Sequence, residues 1–345
     1  MTYMLQEIYE QPRVLEQLCD EEYENVIELW AAMQAQGIEH ISVVARGTSD
    51  NAATFAKYLI EIKGGMVVAL AAPSVFTLYH SRLPMEKWLV LGISQSGEST
   101  DVVEVIREAK SMGALTAGIT NVRESSLARE SDFCLYCHAG EEKSVAATKT
   151  YTATLGLIYL LCAAIAQNEE MVDDLKGAAD AIRRVLDIKD DIEGIVERYR
   201  YMEECMVIAR GINQATSQET ALKLSETCYV VAKPYSSADF QHGPRASVYA
   251  GFPVFMFAPP GKAYQSMLEL TEKLKSDEAE MIIISSEDEI LSRATIPIKL
   301  PMHVDEICSP LVYVVAGQLF AQYLSVTKGY NPDEPRHLSK ITRTM

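Results

Sequence analysis

Two stretches of this 345-residue sequence gather groups suited to holding an anion. Ser94-Gln95-Ser96-Gly97-Glu98-Ser99-Thr100 carries four hydroxyls around one glycine, after an apolar run and before an amphipathic one. Arg46-Gly47-Thr48-Ser49-Asp50-Asn51 has the same plan. Where such a segment opens a helix, unpaired N–H groups and hydroxyls converge, a good geometry for phosphate. Plain N-capping accounts for isolated cases, but four hydroxyls in seven residues exceed what a cap requires. A second group could move protons. Glu219, Lys223 and Glu226 stand four and three residues apart, so one helix face carries all three. Alone, they read as a solvated face with an ordinary ion pair. Downstream, His242 precedes Gly243-Pro244, and a histidine titrates in the right range for proton transfer near neutrality. An isolated histidine is more often structural, whereas a carboxylate and a histidine together can divide base and acid roles at a carbonyl.

These residues need elements to position them. Short apolar runs at 41–45, 88–93, 115–120 and 132–137 read as strands. Amphipathic segments at 51–62 and 100–112 read as helices between them. Continuous apolar strands alternating with helices indicate a parallel sheet covered on both faces. In such a sheet, ligands bind beyond the carboxyl ends of the strands. The order then repeats. Gly47 pairs with Gly211 (211 − 47 = 164), Gly97 with Gly261 (261 − 97 = 164), and Ile119 with Ile284 at 165. Landmarks at one offset imply a tandem duplication of one α/β domain. The expected layout is an N-terminal helical segment at 1–34, a first domain at 35–166 and linking helices at 167–200. A second domain follows at 201–328, then an extended C-terminal arm at 329–345.

Bulk properties narrow the function. The formal charge of −17 and pI near 4.9 exclude a basic footprint for nucleic acid or an anionic membrane. The apolar run 152–166 is about three residues short of a membrane span of roughly 18, so it reads as a buried helix. Seven scattered cysteines and a start without a secretory signal fit the reducing cytoplasm. Cys134-Leu135-Tyr136-Cys137-His138 matches redox and haem patterns, but it lies on a strand-like run with no fourth metal ligand nearby. The glycines lack GxGxxG spacing. No metal or cofactor is expected.

The motifs EIYEQP, ARGTS, SQSGES, SVAATK, ETALKLSE, FQHGP and EPRHLSK, in that order across nearly the whole chain, resemble the sugar isomerase (SIS) domain family. The likeness is to the isomerase half of glucosamine-6-phosphate synthase and its stand-alone deaminase and deglycase relatives. It implies an α/β chain of two tandem flavodoxin-like domains and a homodimer with shared active sites. It further implies that Thr48, Ser94, Gln95, Ser96 and Ser99 bind the sugar phosphate, and that Val145 and Ala147 line the ligand, Ala147 replacing a serine. Glu226 matches the base between C1 and C2, with Lys223 beside it. His242 matches the ring-opening residue reaching the neighbouring subunit's site, and Lys340 the lysine at the sugar carbonyl. With no glutamine-hydrolysing segment in the sequence, a deaminase acting on an amino-sugar phosphate is expected, glucosamine 6-phosphate first. A fructosamine-6-phosphate deglycase is the rival, and a non-catalytic phosphosugar-binding module the alternative from another class.

Overall fold

A computed structural model describes residues 1–340. Its residues group into two compact units, each described by itself. The first comprises Arg13–Glu142, Lys149–Lys176 and the tail from Leu338; the second comprises Met1–Pro12, Lys143–Thr148 and Gly177–His337. Helix α1 (Tyr3–Glu21) divides between them at Pro12.

In the first unit, α2 (Tyr23–Ala35) precedes β1 (His40–Val44), α3 (Thr48–Leu59), β2 (Val67–Leu70), α4 (Ser74–Thr77) and β3 (Trp88–Ile93). Then come α5 (Thr100–Ser111), β4 (Leu115–Thr120), α6 (Ser126–Glu130), β5 (Phe133–Tyr136) and α7 (Lys149–Ala166). All neighbouring strands are parallel, in the order β2-β1-β3-β4-β5. This is the flavodoxin-like doubly wound order, whose strand order reverses between β1 and β3. The apolar runs of β3 and β4 form strands because helices cover both faces, and every residue of β4 is buried. Helix α3 begins at Thr48 and passes at Ile60–Gly64 into a π-helical turn, so it starts three residues earlier than its apolar periodicity suggests. The edge strand β2 was not anticipated; only one of its four residues is buried. Helix α7 also starts early, at Lys149. By length and composition it could cross a membrane, but 94% of it is buried inside the protein. At its middle, a Cβ on Gly156 would lie 2.9 Å from a Leu15 methyl and 3.0 Å from a Leu18 methyl, so any larger residue there would push those leucine methyls aside.

Helix α8 (Glu170–Asp187) leads into the second unit. There α9 (Lys189–Val196) is followed by β6 (Glu204–Ala209), α10 (Gln214–Cys228), β7 (Val231–Ser236), α11 (Ser237–Gln241) and β8 (Pro253–Phe257). Next are α12 (Tyr264–Ser276), β9 (Glu280–Ser285), α13 (Asp288–Leu291), β10 (Ile296–Lys299) and α14 (Ser309–Thr327). The sheet runs β10-β9-β8-β6-β7, which read in reverse is the order of the first sheet. The duplication is exact in places: β1 and β6 start at 40 and 204, β2 and β7 at 67 and 231, α5 and α12 at 100 and 264, each 164 apart. Gly47 and Gly211 both have positive φ, 56° and 62°, which is why both landmarks are glycine. Helix α14 is buried from Ser309 to Ser325 and packs on α10, where Gly317 makes room for Thr220.

Candidate active site

In the first unit, strand β3 ends at Ile93, and the N–H of the next residue, Ser94, donates to the Ile119 carbonyl. The chain turns at Gly97, φ 65°, whose N–H donates to the Ser94 carbonyl at 3.0 Å. A Cβ there would sit 2.2 Å from Ser125 Oγ, so only glycine fits. The Gln95 carbonyl accepts from the Asn121 N–H (3.0 Å) and the Thr120 hydroxyl (3.2 Å), tying the turn to the end of β4. Ser96 Oγ accepts from the Glu98 N–H at 3.3 Å. Ser99 is the N-cap of α5, yet its hydroxyl makes no capping bond. The capping explanation therefore fails at Ser99, which stands directly before the first-turn N–H groups of a twelve-residue helix.

Thr48 opens α3 directly after Gly47. The neighbouring Arg46 clamps Asp101 in the first turn of α5, with Nε and Nη2 donating to one carboxylate oxygen at 2.9 and 2.6 Å. This pair, which sequence reading missed, locks the two candidate anion loops together within the unit. Burial pushes the Asp50 carboxyl above its ordinary value, with Arg46 opposing. Lys340 donates to Glu142 at 2.8 Å. Glu142 is buried and also accepts the Thr150 N–H (3.1 Å) and hydroxyl (2.7 Å), so it is a fixed anchor for that ammonium.

In the second unit, α10 brings Glu219, Lys223 and Glu226 together. Lys223 Nζ lies 2.6 Å from Glu226 and 3.3 Å from Glu219. The face is not the solvated one that the spacing alone suggests. Lys223 and Glu219 are fully buried, and only Glu226 keeps 22% of its side chain exposed. Burial works to lower the Lys223 pKa, but the two carboxylates outweigh it and hold the ammonium above its ordinary value. The result is a buried cation paired with the partly exposed Glu226.

His242 closes α11, a short helix capped by Ser236, whose Oγ accepts the Asp239 N–H at 3.1 Å. Its ring is exposed and makes no hydrogen bond to Glu226 among the described residues. Val145 and Ala147 are half-buried, alternating with buried Ser144, Ala146 and Thr148. The Val145 N–H donates to the Asp333 carbonyl at 3.1 Å, and the Asp333 carboxylate caps α1 at Tyr3 and Met4. Among the described residues, no group of three or more His, Cys, Asp and Glu is arranged to hold a metal.

The SIS domain model matches the sequence twice, at residues 36–164 and 203–328. The chain belongs to the SIS domain family. Each matched SIS segment holds one complete parallel sheet, while Lys340 lies outside both. The glutamine–fructose-6-phosphate aminotransferase of Thermococcus kodakarensis is 34% identical over 98% of this chain; the chain spans 57% of that relative's length. The C-terminal domain of the corresponding aminotransferase from Francisella tularensis superposes with a TM-score of 0.87 at 28% identity, over 97% of this chain and 98% of that one. Glucosamine-6-phosphate deaminase of Thermotoga maritima shares the double-SIS fold with a TM-score of 0.80 at 23% identity, over 99% of this chain and all of that one.

Proposed function

We propose that this SIS protein is a phosphosugar isomerase-type deaminase that converts an amino-sugar phosphate, glucosamine 6-phosphate first, to fructose 6-phosphate and ammonia. The observation that carries the reading is the partly exposed Glu226 carboxylate held on a buried, permanently charged Lys223. A carboxylate fixed in this way suits a general base that takes a proton from carbon and returns it to the next carbon.

The phosphate is held by Ser94, Gln95, Ser96 and Ser99 at the N-terminus of α5, with Thr48 from the neighbouring loop and with Val145 and Ala147 against the ligand. His242 assists ring opening. In the open chain the C1 carbonyl acidifies the C2–H bond, so no cofactor is needed for its removal. Glu226 takes that proton and delivers it to C1, while the C1 oxygen gains a proton and the amine loses one, leaving a hydroxyl at C1 and an imine at C2. Water adds to the imine, ammonia departs, and the ketose phosphate remains. Lys340 stabilises negative charge on the C1 oxygen; its ammonium rests on Glu142 in the structure, so this role requires that pair to open. The exposed ring of His242 fits a residue completed by a second copy of the chain, giving a homodimer with shared sites.

The experiment is an assay of the purified protein on glucosamine 6-phosphate and on fructosamine 6-phosphate adducts, with ammonia and free amino acids both measured. Ammonia with stoichiometric fructose 6-phosphate is expected. Free amino acid without ammonia reassigns the protein as a deglycase, and no product from either substrate overturns the enzymatic reading. In a second arm, inactive Glu226→Gln and His242→Asn protomers are mixed and allowed to exchange. Recovered activity is expected, and its absence after confirmed exchange places His242 in its own subunit's site.

A further inference from the structure

The second repeat contains the counterpart of the phosphate loop. Offset by 164, Ser94 to Thr100 correspond to Ala258, Pro259, Pro260, Gly261, Lys262, Ala263 and Tyr264, which lead from β8 into the thirteen-residue α12. Every hydroxyl of the first loop's Ser94, Ser96 and Ser99 is gone, and only the glycine is kept. The backbone donors persist, and a carboxylate of the chain itself occupies them. Glu306 accepts the Lys262 N–H at 2.7 Å on one oxygen and the Ala263 N–H at 3.0 Å on the other. Gly261 has φ 141°, and a Cβ there would come within 2.4 Å of the Glu306 carboxylate. The loop is therefore shaped around that carboxylate.

The first loop differs at the same places. The matching donors are the N–H groups of Glu98 and Ser99. The former bonds Ser96 Oγ, and the Glu98 carboxylate turns away to the Ser126 N–H and hydroxyl, both at 2.8 Å. Among the described residues no carboxylate accepts from the N–H of Ser96, Gly97, Ser99 or Thr100. One cradle faces hydroxyls, and the other is filled by an anion from within.

We propose that Glu306 is a built-in anion that occupies the second repeat's phosphate loop and confines phosphosugar binding to the first, at one molecule per chain. A carboxylate bridging two N–H groups at a helix N-terminus satisfies both orphan donors and the helix dipole, as a bound phosphate would. The proposal rests on the reading that the first loop binds phosphate, and the test separates the two.

The full-length protein and its Glu306→Ala variant are compared by amide hydrogen exchange with inorganic phosphate, with chloride at matched ionic strength as the control. In both proteins phosphate should protect the peptide around 94–103; if it does not, the first-loop reading fails. In Glu306→Ala the peptide around 258–268 should exchange faster than in the wild type and be slowed again by phosphate, while the wild type shows no phosphate effect there. At phosphate twice its dissociation constant the slowing should be about threefold. Should Glu306→Ala fail to fold, Glu306→Gln keeps the shape and removes the charge, with the same recovery expected on a smaller scale. If phosphate protects 94–103 but leaves 258–268 unchanged in the variant, Glu306 is a helix cap only and the proposal is overturned.

Discussion

The two repeats share strand order and offsets, yet they carry opposite chemistry at equivalent positions. In α10, Glu219, Lys223 and Glu226 stand where α3 and its continuation have Phe55, Leu59 and Ile62, each 164 residues earlier. Phe55 and Leu59 are fully buried, as are Glu219 and Lys223, so the same interior space is filled by hydrocarbon in one repeat and by an ion pair in the other. The loops reverse the assignment. The first repeat presents Ser94, Ser96 and Ser99, and the second presents Ala258, Pro260 and Ala263 around an internal carboxylate. A duplicated scaffold offers each strand-end position twice, and one copy can lose a role that the other keeps. Under the proposed function, anion binding stays with the first sheet and proton transfer arises on the second.

The largest break in this comparison is expected from Glu226→Gln. The substitution is nearly isosteric and leaves Lys223 with Glu219 as its partner. If the second repeat supplies the base, turnover of the amino-sugar phosphate should fall by on the order of 10²–10⁴-fold. Binding of a phosphosugar, measured by calorimetry, should change little if the first repeat holds the phosphate. Loss of binding together with activity would make Glu226 a ligand-holding residue.

A smaller effect, on stability, should follow from Lys223→Met, which gives α10 the apolar character that Leu59 gives α3. The methionine fills similar volume but leaves Glu219 buried without its cation. Breaking one partner of a buried pair costs about 3–5 kcal/mol, read as a lower denaturant midpoint. The sign with pH follows from the raised lysine pKa. Its stabilisation is fully present below the ordinary lysine range of about 10.4 and is lost only as pH rises through the higher folded value. The gap between wild type and variant should therefore not close as pH is raised from about 7 to 9. A gap that closed over that interval would mean that Lys223 gives up its proton near neutrality.

Much of the fold was legible in the sequence. Strands at 88–93 and 115–120 match residue for residue, because a strand buried on both faces is a continuous apolar run with sharp ends. Edge strand β2 escaped notice because a half-exposed strand of four residues has no such run. The excess of hydroxyls marked 94–100 as a candidate anion loop, and the spacing on α10 marked a shared face. Periodicity does not say what covers a face, so the burial of Lys223 was not visible. Arg46–Asp101, Lys340–Glu142 and Glu306–Lys262 join residues 55, 198 and 44 positions apart, and pairs at such separations leave no local signal.

The smallest expected effect sharpens the loop comparison. Ser96→Ala removes a hydroxyl that the second repeat lacks at Pro260 and moves the first loop one step toward the second. A hydrogen bond to a charged group contributes about 1.5–3 kcal/mol, so affinity for a phosphorylated sugar should fall roughly ten- to hundredfold. The poor affinity for the unphosphorylated sugar should not change, since no phosphate is there to lose a partner. Ser96 Oγ also accepts the Glu98 N–H, so some of the loss could come from a loosened turn. Amide exchange of the 94–103 peptide in the absence of ligand separates the two contributions. Unchanged exchange with weakened phosphosugar binding assigns the hydroxyl to the ligand. Faster exchange, with equal weakening for both sugars, makes Ser96 a turn-forming residue and leaves phosphate recognition to Ser94, Ser99 and the α5 backbone.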